Sequence, residues 1–439
     1  MLPLFKFISA LKHSDFVRSL LTLMTGTTIA AAIPVLCSPI LTRIYTPEDI
    51  GIFAAIATVI SILIPVITLR YDVALMLPKR HIDAGYIALL SLIIVILLTI
   101  LSLVFIILKP AYLMNYLSVE DESGFIIIPF ALGIAASANI YSALLNRQKK
   151  YRQLSQIKIY YAAFSTAIMI LFGYFHANFI GLLYGFLLGW SIAGAYGLVK
   201  NLSLLRSSYR NFQFTHLRKL IKKYKKFPTF GTLGAFIGGV ALNYHIILFA
   251  AFYTPEVVGL IFLVQRVLQN PLNIIRQAYS QVFFQKITTR KTMAHRRKLY
   301  FQSFGLLSII SILCIIAVQL LPTNSMAFIF GEEWGQILPW MKVLVFWICI
   351  QFVPSTLSVT LSALNKENYI MILQILNITL VFLTFELANM QAFSAYETII
   401  ALTIAKSGFY FIYLLLSIWV LYQKDPFTTS SNPRHRKSL

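Results

Sequence analysis

Apolar runs of eighteen or more residues, separated by short polar joints, recur along this chain from about Val17 to Tyr422. Hydrocarbon offers no water to a peptide N–H or C=O. A chain crossing it must satisfy those groups itself, as helices do. About 20 apolar residues span a core about 30 Å thick. Of the 439 residues, 58% are hydrophobic and 12% charged, roughly half the charge of a soluble chain. The class is therefore an all-α polytopic membrane protein. Twelve spans are predicted, at about 17–42, 50–69, 84–108, 124–145, 157–175, 178–199, 229–252, 257–282, 300–321, 337–360, 369–388 and 398–422. No joint is long enough to fold as a domain. The first run is too long for a signal-peptide core and lacks a following small-residue cleavage site, so it reads as span one.

The charges test the count of twelve. With the N-terminus placed in the cytoplasm, 31 of the 37 Lys and Arg residues fall on inside segments. Outside joints hold only Arg43 and Lys109 among the cations, beside acids such as Glu48, Asp49, Asp121 and Glu333. Cation bias sets orientation, and one missed span would scramble the alternation beyond it. The net charge of +22 thus reflects topology, and no nucleic-acid partner is expected. The longest inside joint, Lys200 to Pro228, reads as a solvated basic linker that also touches anionic headgroups.

A repeat divides the chain. Tyr45-Thr46-Pro47-Glu48-Asp49-Ile50-Gly51 returns 208 residues later as Tyr253-Thr254-Pro255-Glu256-Val257-Val258-Gly259, with five of seven positions identical. Each Thr suits an N-cap, each Pro the first helical turn and each Glu the positive end of the helix dipole. Each Gly permits close helix contact. Ser142-Ala143-Leu144-Leu145-Asn146 closes span four, and Ser362-Ala363-Leu364-Asn365 closes span ten. Two parallel halves follow: a six-helix lobe at 1–200, a basic linker at 201–228, a second lobe at 229–422 and a cytoplasmic tail at 423–439. The lobes are expected to be related by a pseudo-two-fold axis along the membrane normal.

Ionisable residues at membrane depth are costly and mark cavities or partners. Arg266 falls about 13 Å into span eight and Lys406 about 12 Å into span twelve, at about 1.5 Å per residue. Mid-depth cations imply a wet cavity or an anionic ligand; pairing with backbone carbonyls is the structural alternative. Arg276 lies near enough to the inner face to snorkel. Arg43 reads as an interface anchor, and His245 as a core residue or a cavity-facing one. These five are the substrate-cavity candidates. Cys37, Cys314 and Cys349 lie within spans and read as small core residues. No phosphate-binding glycine loop, metal-spaced cluster or nucleophile elbow occurs, so neither catalysis, a cofactor nor a metal is expected.

The stretch Tyr253–Phe284 resembles the seventh-to-eighth span region of bacterial polysaccharide flippases of the Wzx type. Ser38–Ala54 and Leu69–Pro78 resemble their first-to-second span region. That family shares a superfamily with MATE exporters and the lipid II flippase. The resemblance implies a central cavity that opens alternately to each side of the bacterial inner membrane, with both termini cytoplasmic. It also implies a cargo, an undecaprenyl-diphosphate-linked O-antigen or capsule unit, and makes Arg266 cavity-facing. The expected partners are that glycan, membrane lipids and other polysaccharide assembly proteins. A MATE-type multidrug exporter is the competing reading, although span one lacks the coupling acid such exporters usually carry there. An O-antigen polymerase or ligase needs a larger outside loop than any here.

Reporter tags fused after Arg80, Lys150, Lys219 and Lys291 are expected to report cytoplasmic, and tags after Asp121 and Glu333 periplasmic. A periplasmic signal at Lys219 would refute the twelve-span arrangement.

Overall fold

The computed structural model describes residues 15–108, 125–175, 178–289, 292–364 and 366–423. Lys6, Lys12, Lys109, Asp121, Arg290, Lys291, Asn365 and the basic tail from Lys424 lie outside them. Among the described residues twelve helices are long and apolar enough to cross a membrane. They are Met24–Leu41, Pro47–Ile67, His81–Leu108, Ile127–Arg147, Tyr151–Phe175, Phe179–Arg210, Phe227–Phe252, Pro255–Thr288, Met293–Gln319, Ile337–Ala363, Asn368–Met390 and Ala395–Tyr422. These are spans one to twelve below, and each overlaps its predicted counterpart.

The chain forms two compact units. The first holds residues 1–263 with Met326–Gly335, and the second holds 264–325 with 336–439.

In the first unit the repeated heptapeptide shows its purpose. Thr46 caps span two: the Asp49 N–H donates to its hydroxyl oxygen at 3.2 Å, and the Thr46 N–H donates to the Asp49 carboxylate at 3.2 Å. The Tyr45 hydroxyl donates to the Met169 carbonyl of span five at 2.7 Å. Burial, and then the Asp49 carboxylate, push that phenol above its usual range. In the second copy Val257 stands where the box needs a carboxylate.

The two copies meet. A Cβ added to Gly51 would lie 1.7 Å from the Pro255 carbonyl oxygen, and one added to Gly259 would lie 1.9 Å from the Pro47 carbonyl oxygen. Residue i touches j′ while j touches i′, which is the signature of a two-fold axis between like elements. Phe53 and Phe262 pack edge to face beside the crossing, with ring centroids 6.4 Å apart.

Span six packs by the same device. Gly181, Gly185, Gly189, Ala193 and Gly197 recur every four residues along one ridge, the small-residue pattern that lets helix backbones approach in lipid. A Cβ on Gly189 would sit 2.8 Å from the Ser165 Cα of span five. Ala193 of this ridge joins Leu145, Leu154 and Ile157 in a buried cluster, against which Tyr161, Trp190 and Tyr196 pack.

The second unit is built around span ten, whose Leu344, Val345, Trp347, Ile348 and Cys349 are buried. The Ser311 hydroxyl of span nine donates to the Cys349 carbonyl at 3.1 Å, and the Gln319 amide donates to the Lys342 carbonyl at 2.8 Å. Cys349 is the buried core residue expected, whereas Cys37 and Cys314 are half-buried, and all three thiols are free.

Gly51→Ala and Gly259→Ala are each expected to destabilise the fold by about 1–3 kcal/mol or more, because added carbon in a close-packed contact forces backbones apart. The double variant should cost less than the sum, since both residues occupy one contact. Thermal unfolding in detergent measures this; an unchanged midpoint for both single variants would disprove the close approach.

Candidate functional site

Span eight is the least apolar of the membrane helices in its middle. From Gln265 to Ser280 it carries Gln265, Arg266, Gln269, Asn270, Asn273, Arg276, Gln277 and Ser280. From Gln269 onward the polar positions recur at three- and four-residue steps, so they share one side of the helix. Not one of the eight is buried: Asn270 and Gln277 are exposed, and the rest are half-buried. Polar groups turned to hydrocarbon would lose their water without compensation. The stripe therefore marks a face that meets water, polar ligand or other polar groups within the membrane.

The backbone is irregular at the same place. Residues Gln265–Gln269 form a π-turn in which the Asn270 N–H reaches back five residues to the Gln265 carbonyl. Pro271 follows directly. It has no N–H to give, and its ring crowds the carbonyl four residues earlier, Val267. A widened turn ahead of such a proline relieves the clash, and π-turns concentrate at functional positions. The division between the two compact units also falls here, between Leu263 and Val264.

Arg266 sits within this π-turn, half-buried, roughly 17 Å from the Pro255 end of the helix at 1.5 Å per residue. Arg276 lies farther along the stripe. Its Nε donates to the Asn273 amide oxygen at 3.1 Å, which aims the guanidinium along the helix face. Both arginines and the intervening amides thus belong to one polar surface of the second unit.

Lys406 has a different setting. It is 2% exposed. Its Nζ donates to the Asn377 side-chain oxygen of span eleven at 2.9 Å and lies 5.3 Å from the Trp347 ring centre of span ten. Burying an ammonium costs several kcal/mol; an amide acceptor and an aromatic face offset part of that. Lys406 therefore ties spans ten, eleven and twelve together. A largely apolar cavity of about 590 Å³ between spans nine, ten and twelve is lined by Lys342, Phe346, Thr403 and Ser407, among others. The stripe on span eight takes no part in its walls.

The remaining candidates lie in the first unit. Arg43 is exposed, and its guanidinium donates to the Phe328 carbonyl at 2.9 Å and weakly to the Pro39 carbonyl at 3.4 Å. Beside it the Trp334 indole donates to the Thr42 carbonyl at 2.9 Å. Arg43 and Trp334 together fasten the segment Met326–Gly335 to the chain following span one. His245 is 3% exposed within span seven. Sequence reasoning singled out the two arginines of the stripe but missed Gln269, Asn270 and Asn273, although their three- and four-residue spacing in an apolar context was readable. Asn377 and Trp347, the partners of Lys406, carried no such signal.

A family model described as polysaccharide biosynthesis protein matches residues 40–339. No curated protein sequence matches the chain closely enough to count as a relative. Among solved structures, an inward-facing multidrug resistance MATE family transporter of the MOP superfamily superposes with a TM-score of 0.70 at 12% identity, covering 93% of this chain and 96% of that one. The lipid II flippase MurJ in an inward closed conformation gives a TM-score of 0.64 at 14% identity, over 92% of this chain and 87% of that one. A MOP superfamily transporter from Pyrococcus furiosus gives 0.60 at 12% identity, over 94% and 97%. Identities this low establish fold and not cargo. The family match takes in most of the chain and both copies of the repeat, and so this chain belongs to the polysaccharide biosynthesis protein family, on the twelve-helix membrane fold of the MOP superfamily.

Proposed function

We propose that this protein is a flippase that carries an undecaprenyl-diphosphate-linked oligosaccharide from the cytoplasmic to the periplasmic leaflet of a bacterial inner membrane. Both termini are placed in the cytoplasm, and transport proceeds by alternating access. The polar stripe of span eight is the observation that carries this reading. A sugar hydroxyl stranded in hydrocarbon costs several kcal/mol, and an oligosaccharide has many. A path lined with Gln, Asn and Arg replaces the lost water, while a prenyl tail stays in lipid. Amides suit hydroxyls because each both donates and accepts. Arginines suit a diphosphate because the guanidinium presents paired donors to paired oxygens.

Within this reading Arg266 contacts the diphosphate, and Asn273 holds Arg276 in position for the same charge. Lys406 supports the second unit from inside its helix packing. The family match and the likeness to a lipid II flippase support this cargo class. The likeness to multidrug transporters supports the competing exporter reading. Span one, Met24–Leu41, offers that reading no carboxylate for ion coupling.

In a flippase-deficient strain, Arg266→Ala is expected to abolish surface polysaccharide while leaving membrane protein levels unchanged. Loss of a charged hydrogen bond costs about 1.5–3 kcal/mol, on the order of 10–100-fold in binding. Arg266→Lys should retain part of the activity, because the charge survives without the fork. Wild-type polysaccharide from a well-expressed Arg266→Ala variant would mean the arginine is structural. Drug resistance conferred without polysaccharide rescue would favour the exporter.

Lys406→Ala should weaken export by less than Arg266→Ala and, unlike it, lower the thermal midpoint. Asn377 and Trp347 lose the contact with Lys406 in that variant. Unchanged stability in detergent would place Lys406 outside the packing role.

A further inference from the structure

Between spans six and seven the chain folds a short helix, Phe214–Lys223. Its two sides are sharply different. Leu217, Leu220 and the following Tyr224 are buried, on positions that fall on one helix side. This side packs on the start of span three. There the His216 Nε2 lies 2.9 Å from the Asp83 carboxylate, and the Tyr86 ring lies 5.5 Å from that of His216. The Tyr86 hydroxyl donates to the Asn211 carbonyl. The opposite side carries Arg218, Lys219, Lys222 and Lys223, all exposed, and Lys225 and Lys226 follow, also exposed.

No Asp or Glu occurs anywhere from Lys200 to Pro228. The carboxylate that the structure brings to this helix, Asp83, is taken by His216. Among the described residues no carboxylate is paired with the cations of the basic side. A segment that merely joined two halves would need neither a docked apolar side nor six exposed cations, four on the helix and two just after it.

The place of the helix selects its partner. Span six, Phe179–Arg210, has 32 residues, about 48 Å at 1.5 Å each, against a hydrocarbon core of about 30 Å. Its last turns therefore emerge into the headgroup layer on the face that the cation distribution assigns to the cytoplasm. Tyr209 at 73% and Phe214 at 70% exposure stand beside the cations, and exposed aromatics among basic residues belong to membrane interfaces. We infer that the docked helix Phe214–Lys223 is a binding platform for anionic phospholipid headgroups of the inner leaflet. Leu217, Leu220 and His216 fix its position, and the cations on its far side grip the phosphates. This assignment does not depend on the identity of the cargo.

The test uses the full-length protein in detergent. Native mass spectrometry counts retained phosphatidylglycerol and phosphatidylcholine for the wild type, for Lys219→Gln/Lys222→Gln/Lys223→Gln, and for a charge-matched control, Lys149→Gln/Lys150→Gln/Arg152→Gln. A cation near an anionic surface contributes roughly a fivefold factor. The wild type should prefer phosphatidylglycerol, and the platform variant should lose about tenfold or more of that preference while the control keeps most of it. Raised salt should weaken the preference through screening. An equal loss in both variants, or none in the platform variant, would overturn the inference. So would a wild type indifferent to phosphatidylglycerol but stabilised by polyglutamate, which would assign the surface to an acidic protein. Unfolding midpoints in phosphatidylcholine should match across all three proteins, since the substituted side chains are exposed.

Discussion

Backbone hydrogen bonding in a medium without water is the constraint on which this structure depends. It makes every membrane segment a helix, and it also explains what happens where helices end. The guanidinium of Arg147, closing span four, donates to the carbonyls of Leu75 and Met76 at 3.1 Å and of Arg80 at 3.3 Å, and also to that of Pro78. These carbonyls belong to the elbow after span two, where Leu69 and Arg70 adopt left-handed φ of 46° and 56°. Non-glycine residues rarely do this, and such a turn persists only when its surroundings hold it. Trp334 serves another non-helical carbonyl, that of Thr42, in the same way, and Arg43 serves the Phe328 carbonyl in the last turn of the helix Ser325–Phe330. Arg147, a cation that read simply as a topology marker, is thus also a donor for irregular backbone.

The same constraint gives span eight its character. Asn270-Pro271 interrupts the hydrogen-bond ladder in mid-membrane, and a π-turn absorbs the interruption. In the proposed function, the half-buried and exposed amides and arginines of its polar stripe have a use that a packed helix could not offer them. At the other end of the same helix, Gly259 meets Pro47 and Gly51 meets Pro255 without room for one methyl group. One membrane helix therefore combines a backbone contact too close for a methyl group with a run of polar side chains, none of them buried. The contact sets where the first turn must be, and the proline sets where the ladder must yield.

The basic linker illustrates how charge and packing divide the labour. Two leucines and a histidine dock a helix too short to stand alone in water. The docking leaves its cations facing outward, with no acid in the segment to neutralise them. Charge that composition shows only as an excess becomes, once the helix is docked, a surface with a direction.

Most of the architecture was legible in the sequence. Twelve spans follow from apolar length, and the repeat follows from Thr-Pro-Glu and Gly recurring in each half, because the physics of crossing lipid and of capping a helix is local. The reciprocal approach of Gly51 and Gly259 was foreshadowed by their matching places, yet that the two glycines face each other is a tertiary fact. Lys406 shows the limit most clearly. Its depth was readable, but its amide acceptor at Asn377 and aromatic face at Trp347 lie 29 and 59 positions away. Arg43 likewise meets Phe328 across 285 positions. Depth in a membrane is set by counting residues along one helix, so sequence determines it. Which side chains share that depth is set by how helices pack, and only the tertiary structure decides it.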